Sequence, residues 1–327
     1  MKSFRKPFTW GLTAAVVVLF ALHPAQAGEF AKVGTVGTQF LKIPIGARGV
    51  AMGHAFSALS NDATAMFWNP AGLTSIEGST VLLEHVNWLA DMSFDAVGAA
   101  HKLNNAWAVG VFAATLNSGD IERTTVEFQS GTGTYYAVTD MMAGVTVATM
   151  LTDRFSFGAN LKYVREDLDG EIASAYAVDV GTNYDTRWHT IKLSMSIRNF
   201  GPEIQLAGTY VDYDRGQPYA EKEFLPYQFP MIFKLGFSAE PIKTATQTLT
   251  LVGELEHPND NLERYNIGAE FGFQQLFFLR GGYVFRHDTL GLSAGIGAMW
   301  NGFGIDYAFS DFSVLDQVHR FNVHFTF

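Results

Sequence analysis

Cysteine is absent from the chain. That excludes disulfides, thiol catalysis and a lipid-modified N-terminal cysteine. Charge is scarce as well, at 17% Asp, Glu, Lys and Arg, where soluble domains carry about 25%. No long basic run interrupts the formal net charge of -10, so nucleic acid is not an expected partner. Beyond the N-terminus no apolar run reaches the length of a membrane-spanning helix, which removes helical spans.

What is present starts with an export signature. Lys2, Arg5 and Lys6 precede a short apolar core from Trp10 to Leu22, and Ala25-Gln26-Ala27 fits a small-residue cleavage site. Residues 1–27 are therefore expected to be a signal peptide. An exported chain of 327 residues without disulfides is large enough to bury a core of its own.

The dominant pattern after residue 78 is a period of two. In FGIDYAFS, Phe303, Ile305, Tyr307 and Phe309 alternate with Gly304, Asp306, Ala308 and Ser310. IKLSMSIRN, MIFKLGFSAE and RFSFGANLKY repeat it. About fourteen such segments occur, at 79–88, 93–102, 105–117, 134–150, 154–166, 173–186, 190–200, 229–240, 246–257, 262–273, 276–286, 291–300, 302–310 and 316–327. Most are about ten residues long, the reach of a tilted strand across a bilayer. The last segment exposes the aromatic row Phe321, Phe325 and Phe327 with nothing after it to cover that face. On a soluble protein that edge would invite aggregation.

Alternation alone does not separate a soluble sandwich from a barrel in lipid. Three other features favour the barrel. Long connections near residues 117–133 and 200–228 alternate with short ones such as KLNN, LTDR and WNG, as in outer-membrane barrels. An even strand count returns both ends to one side. Trp107, Trp188 and Trp300 all fall at short connections, suited to an aromatic girdle at one membrane boundary. The expected fold is all-β, a transmembrane barrel of about 14 antiparallel strands over residues 79–327. Its edge problem disappears on closure, and its phenyl rings meet lipid. The opposite face then lines the lumen with Arg198, Lys234, Glu254, Arg264, Glu270, Arg280, Asp306 and Arg320. These charges are expected to pair and to hold a plug.

Residues 28–78 lack alternation and are rich in Gly, Ala and Ser. They cannot form a core alone and are expected to plug the lumen. NDATAMFW reads as a short helix capped by Asn61 or Asp62 and ended by Pro70. Asn69, Pro70, Ala71 and Gly72 read as a turn.

The block GARGVAMGHAFSALSNDATAMFWNPAGL resembles the N-terminal signature of the PorV/PorQ family of outer-membrane proteins. Its NPAG is similar to the Asn-Pro-Ala motif of the FadL long-chain fatty acid channels, and His54 departs from the small residue expected at that place. The resemblance implies a hatch inside a 14-stranded barrel and a terminal Phe327 like the signal read by barrel-assembly machinery. It further implies a role in type IX protein secretion, as a docking or shuttle platform for exported cargo. The alternative it implies is a FadL-like channel for long-chain fatty acids or other hydrophobic solutes. Expected partners are outer-membrane lipids, secretion-machinery subunits or exported cargo, and, on the channel reading, a hydrophobic ligand in the lumen. The aromatics of the second long loop, Tyr210, Tyr213, Tyr219, Phe224 and Tyr227, suit a binding surface.

No enzyme chemistry is expected. GLSAG, residues 291–295, matches the G-x-S-x-G pattern, but that motif needs a strained turn between strand and helix, and here it lies inside an alternating run. Ser293 is thus a weak third candidate. DLDGE, residues 167–171, reads as a hairpin turn rather than a calcium loop. The histidines show no metal-ligand spacing, and GIGAMWNGFG lacks the spacing of a dinucleotide fold. No metal or cofactor is expected.

Overall fold

The computed structural model describes residues 33–214 and 217–327. The expected signal peptide, residues 1–27, lies outside the described residues. Eighteen strands follow in chain order: β1 (Ser79–Asn87), β2 (Ser93–Lys102), β3 (Trp107–Asn117), β4 (Ile121–Glu122), β5 (Tyr135–Tyr136), β6 (Val138–Met150), β7 (Phe155–Leu168), β8 (Glu171–Asp185), β9 (Lys192–Phe200), β10 (Thr209–Asp214), β11 (Gln217–Glu223), β12 (Ile232–Lys243), β13 (Gln247–Pro258), β14 (Arg264–Phe273), β15 (Phe277–Phe285), β16 (Leu292–Trp300), β17 (Phe303–Asp311) and β18 (Gln317–Thr326). Fourteen of them close into one barrel, and β4–β5 and β10–β11 form two small hairpins outside it.

Closure joins the first strand to the last. β1 and β18 run antiparallel from Thr80 opposite Thr326 to Asn87 opposite His319. β18 is paired on its other side to β17, so the aromatic row at the C-terminus has no free edge. Phe321, Phe325 and Phe327 point outward and stay exposed. The same parity runs around the barrel. Leu83, Val97, Val111, Leu161, Leu235, Leu279, Ile296 and Ile305 are exposed on the outside, while Glu84, Lys162, Lys234, Arg280 and Asp306 are buried inside. A closed sheet satisfies every ladder group internally, which is what hydrocarbon demands. Among the described residues no helix is long and apolar enough to cross a membrane.

All fourteen expected segments are barrel strands. The differences lie at their ends. The segment expected from residue 134 enters the barrel only at Val138, because Tyr135 and Tyr136 pair instead with Ile121 and Glu122. β7 and β8 continue to a two-residue turn at Asp169 and Gly170, both at positive φ, the tight hairpin that DLDGE suggests. The alternation of loop lengths rests on two connections alone, 118–137 and 201–231. The others on that side, such as 169–170 and 259–263, are as short as the turns opposite. The short-turn side also carries the barrel's two ends and Trp107, Trp188 and Trp300, all exposed.

Candidate functional site: the filled lumen

Residues 38–76 lie inside the barrel. They form two short helices, Ala47–Ala51 and Ala65–Trp68, and two 3-10 turns, Gln39–Lys42 and Pro70–Ser75. Helices this short are marginal in water, so packing holds them. Phe56, Met52, Met66, Trp68 and Leu73 are among the largest fully buried side chains. Trp68 donates from Nε1 to the Ile45 carbonyl at 2.6 Å and meets Phe56 edge-on, and Lys234 Nζ lies 5.0 Å from its ring centre.

The helix expected to be capped by Asn61 or Asp62 has Thr64 as its N-cap instead, and Thr64 makes no side-chain cap. Asp62 serves one step earlier, its Oδ1 accepting the Thr64 N–H at 2.8 Å. Asn69 ends the helix, and the expected turn at Pro70 is the first residue of a 3-10 helix. Proline suits that position because its missing N–H would have had no partner there.

Asn69 is wholly buried and uses both ends of its amide. Oδ1 accepts from Ala71 N at 3.2 Å. Nδ2 donates to the Ser57 carbonyl at 3.0 Å, to the Thr182 carbonyl at 3.2 Å and to Asn183 Oδ1 at 2.8 Å. The wall makes room for this seat. A Cβ on Gly181 would fall 2.0 Å from Asn69 Oδ1, and one on Gly158 would fall 2.3 Å from the Pro70 carbonyl carbon. The backbone of Asn69-Pro70-Ala71-Gly72 thus lies directly against β7 and β8, which only glycine in the wall permits.

On the far side of the lumen ion pairs hold the segment. Arg48 grips Glu270 with two bonds, Nε to Oε2 at 2.8 Å and Nη2 to Oε1 at 2.7 Å. Arg280 Nε donates to Glu270 at 2.6 Å, Arg280 Nη1 donates to Asp306 at 2.5 Å, and His324 lies 3.3 Å from Asp306. Arg320 binds Glu84 at 2.6 Å and also the Pro44 carbonyl. Lys234 bridges Glu254, at 2.8 Å, and Glu256, while Glu254 accepts from Ser57 N at 2.9 Å. Arg198 and Arg264 also face inward, each with an Nε that has no hydrogen-bond partner. Lys162, on the polar face of RFSFGANLKY, pairs with Asp179 at 2.7 Å. The partners not named from sequence include Arg48, Glu84, Asp179 and Glu256, and the inward parity of their strands points to the last three. Arg48 sits where no periodicity exists.

At the long-loop end the lid is apolar. Phe40, Leu41, Ile43 and Ile45 cluster with Val86, Phe94, Leu290 and Phe312, and Trp88 meets Phe312 edge-on. Tyr227, from the loop after β9, donates to Glu166 Oε2 at 2.5 Å, and burial together with that acceptor holds its phenol above the ordinary range. At the short-turn end a cavity of about 480 Å³ remains, lined by polar groups that include Arg48, Asp62, Glu270, Arg280, Asp306 and His324. Ser293 is the second residue of β16, buried and 3.2 Å from Ser310 Oγ, with no strand-to-helix turn around it.

The closed fourteen-stranded barrel is matched in known proteins. The family model described as Type IX secretion system protein PorV matches residues 26–249.

The chain belongs to the PorV family.

It is an outer-membrane β-barrel protein of type IX secretion. No curated protein matches it. Among solved structures, it is similar to the toluene transporter TbuX of Ralstonia pickettii, at 14% identity and TM-score 0.58, covering 86% of this chain and 96% of that one. The toluene transporter TodX of Pseudomonas putida matches at 12% identity and TM-score 0.57, over 86% of this chain and 96% of that one. A Pseudomonas aeruginosa FadL homologue matches at 13% identity and TM-score 0.55, over 86% and 98%. At such identities the likeness is one of fold.

Proposed function

We propose that this PorV-family barrel is a docking platform that receives exported proteins at the cell surface, its lumen closed rather than open. Residues 1–27 would leave as the signal peptide, residues 28–78 would serve as the plug, and residues 79–327 would form the barrel. The observation that carries the reading is an asymmetry. One end of the barrel has only tight turns, and the other raises two loops that each carry their own hairpin, β4–β5 and β10–β11. Those loops expose large apolar groups to water, with Val126 85%, Tyr219 73% and Leu225 80% exposed. Side chains of that kind are what partner surfaces use. Secretion-machinery subunits or exported cargo are the partners this surface suits.

The test is crosslinking in cells followed by purification, with the wild type beside a variant in which residues 209–223 are replaced by a short Gly-Ser turn. Secretion subunits or cargo should accompany the wild type and fall at least severalfold with the variant, while the barrel keeps its heat-modifiable migration. Recovery of the wild-type barrel alone would overturn the reading.

A channel for hydrophobic solutes is the second reading, suggested by the fold shared with TbuX and TodX, which are toluene transporters. It ranks lower because the Arg48–Glu270–Arg280–Asp306 ion pairs form part of the lumen cavity's lining and suit a hydrocarbon poorly.

A further inference from the structure

Among the described residues nine carboxylates are buried in this barrel: Glu84, Asp140, Glu166, Asp179, Glu254, Glu256, Asp260, Glu270 and Asp306. Seven have a cationic partner. Arg320 serves Glu84, Lys162 serves Asp179, Lys234 serves Glu254 and Glu256, Lys42 serves Asp260, and Arg48 and Arg280 serve Glu270 and Asp306. Asp140 and Glu166 have none among the described residues. They stand directly opposite each other in the β6–β7 ladder, each 7% exposed. Side chains so placed have Cβ atoms about 5 Å apart, and like charges there repel. The nearest cation in sequence, Arg165, turns to the other face and pairs with Asp167 at 3.1 Å.

The surroundings supply further oxygen. Tyr227 OH reaches Glu166. The Thr38 backbone lies near the same carboxylate, and Thr38 is 1% exposed with a hydroxyl that has no partner. Asp140 Oδ1 is also buried without a partner. Two facing carboxylates, one with an unpartnered buried oxygen, and a phenol form an oxygen-only donor set with no cationic partner among the described residues. Hard divalent cations take such sets, calcium most readily because it tolerates irregular geometry and completes its shell with water. The pair sits at the long-loop end of its strands.

We propose that Asp140 and Glu166 hold a calcium ion that ties three pieces together: the barrel wall, the start of the plug at Thr38 and the long loop after β9 at Tyr227. A bound cation removes the repulsion that otherwise works against burying both carboxylates. Glu166 then anchors the loop and the plug from one point. Gly37 is part of the same contact, because a Cβ there would fall 2.1 Å from the Tyr227 ring.

The experiment is equilibrium dialysis of calcium with the full-length chain purified in detergent, free of lipopolysaccharide. One saturable ion per chain is expected. Asp140→Asn combined with Glu166→Gln should weaken it at least tenfold, whereas Asp167→Asn with Asp169→Asn, in the exposed hairpin turn, should leave it within twofold. Terbium emission excited through tyrosine should saturate at the same stoichiometry and be displaced by calcium. Absence of a saturable site in the wild type would overturn the proposal, as expected if the carboxylates share a proton instead. So would unchanged binding by the double variant in its heat-modifiable, folded form. Should that variant fail to fold, Glu166→Gln alone and the wild-type dialysis still decide.

Discussion

Along β17, Phe303, Ile305, Tyr307 and Phe309 turn toward lipid, while Asp306, Ala308 and Ser310 turn toward the lumen. The two rows alternate on one backbone and follow different rules. The outer row meets a fluid solvent that accepts any apolar shape. The inner row meets a fixed set of groups, and Asp306 is chosen for Arg280 and His324. Chemistry outside is therefore generic, and chemistry inside is specific residue by residue.

Breaking the inner row should cost most. Arg280→Leu would leave Glu270 and Asp306 short of a partner, and losing one side of a buried pair costs about 3–5 kcal/mol. The midpoint of urea unfolding in lipid vesicles would report it. A polarity change outside comes next. Ile305→Arg should cost about 2–4 kcal/mol near the bilayer midplane, whereas Ile305→Leu should cost less than about 1.5 kcal/mol. Equal losses for Ile305→Leu and Ile305→Arg would mean that the outer row is shape-specific after all.

The seat of the plug is a smaller and more local test. Asn69→Ala strands Asn183 and the Thr182 and Ser57 carbonyls, at about 1–3 kcal/mol for buried groups left unpaired. Limited proteolysis should then cut within residues 38–76 several times faster, while the barrel band persists.

The smallest effect concerns pH in a loop. His287 accepts from Thr289 N at 3.2 Å and Leu290 N at 3.0 Å through Nδ1. Burial and the nearby Arg264 push its pKa down to about 4. The neutral ring is the folded form, so the unfolded loop binds more protons between about 4 and the ordinary value near 6.5. Stability from this contact is full above that ordinary value and is lost as pH falls toward 4. Amide exchange at Thr289 and Leu290 should accelerate over that window, and His287→Gln should flatten the response.

The strands, their parity and the barrel were legible because alternation is a local property. Phe303 and Ile305 declare a face two residues apart, and no distant partner is needed to read it. The strand start misplaced near Tyr135 had the same cause: the residues alternate well enough, but they pair with Ile121 and Glu122 outside the wall. The inward charges could be named one by one for the same reason, yet not matched. Arg48 meets Glu270 across 222 positions, and nothing local in an irregular segment announces that meeting.

Composition and period decided that this chain is a closed sheet with its apolar side turned to hydrocarbon, since a strand's two faces are set by its own geometry. Register around fourteen strands and the seating of residues 38–76 decided the rest. They selected which cation faces which carboxylate, which glycines admit Asn69 and Pro70, and why Asp140 and Glu166 stand together with no cationic side chain beside them among the described residues. Those meetings depend on the position of every strand at once, and so exist only when the barrel has closed around its plug.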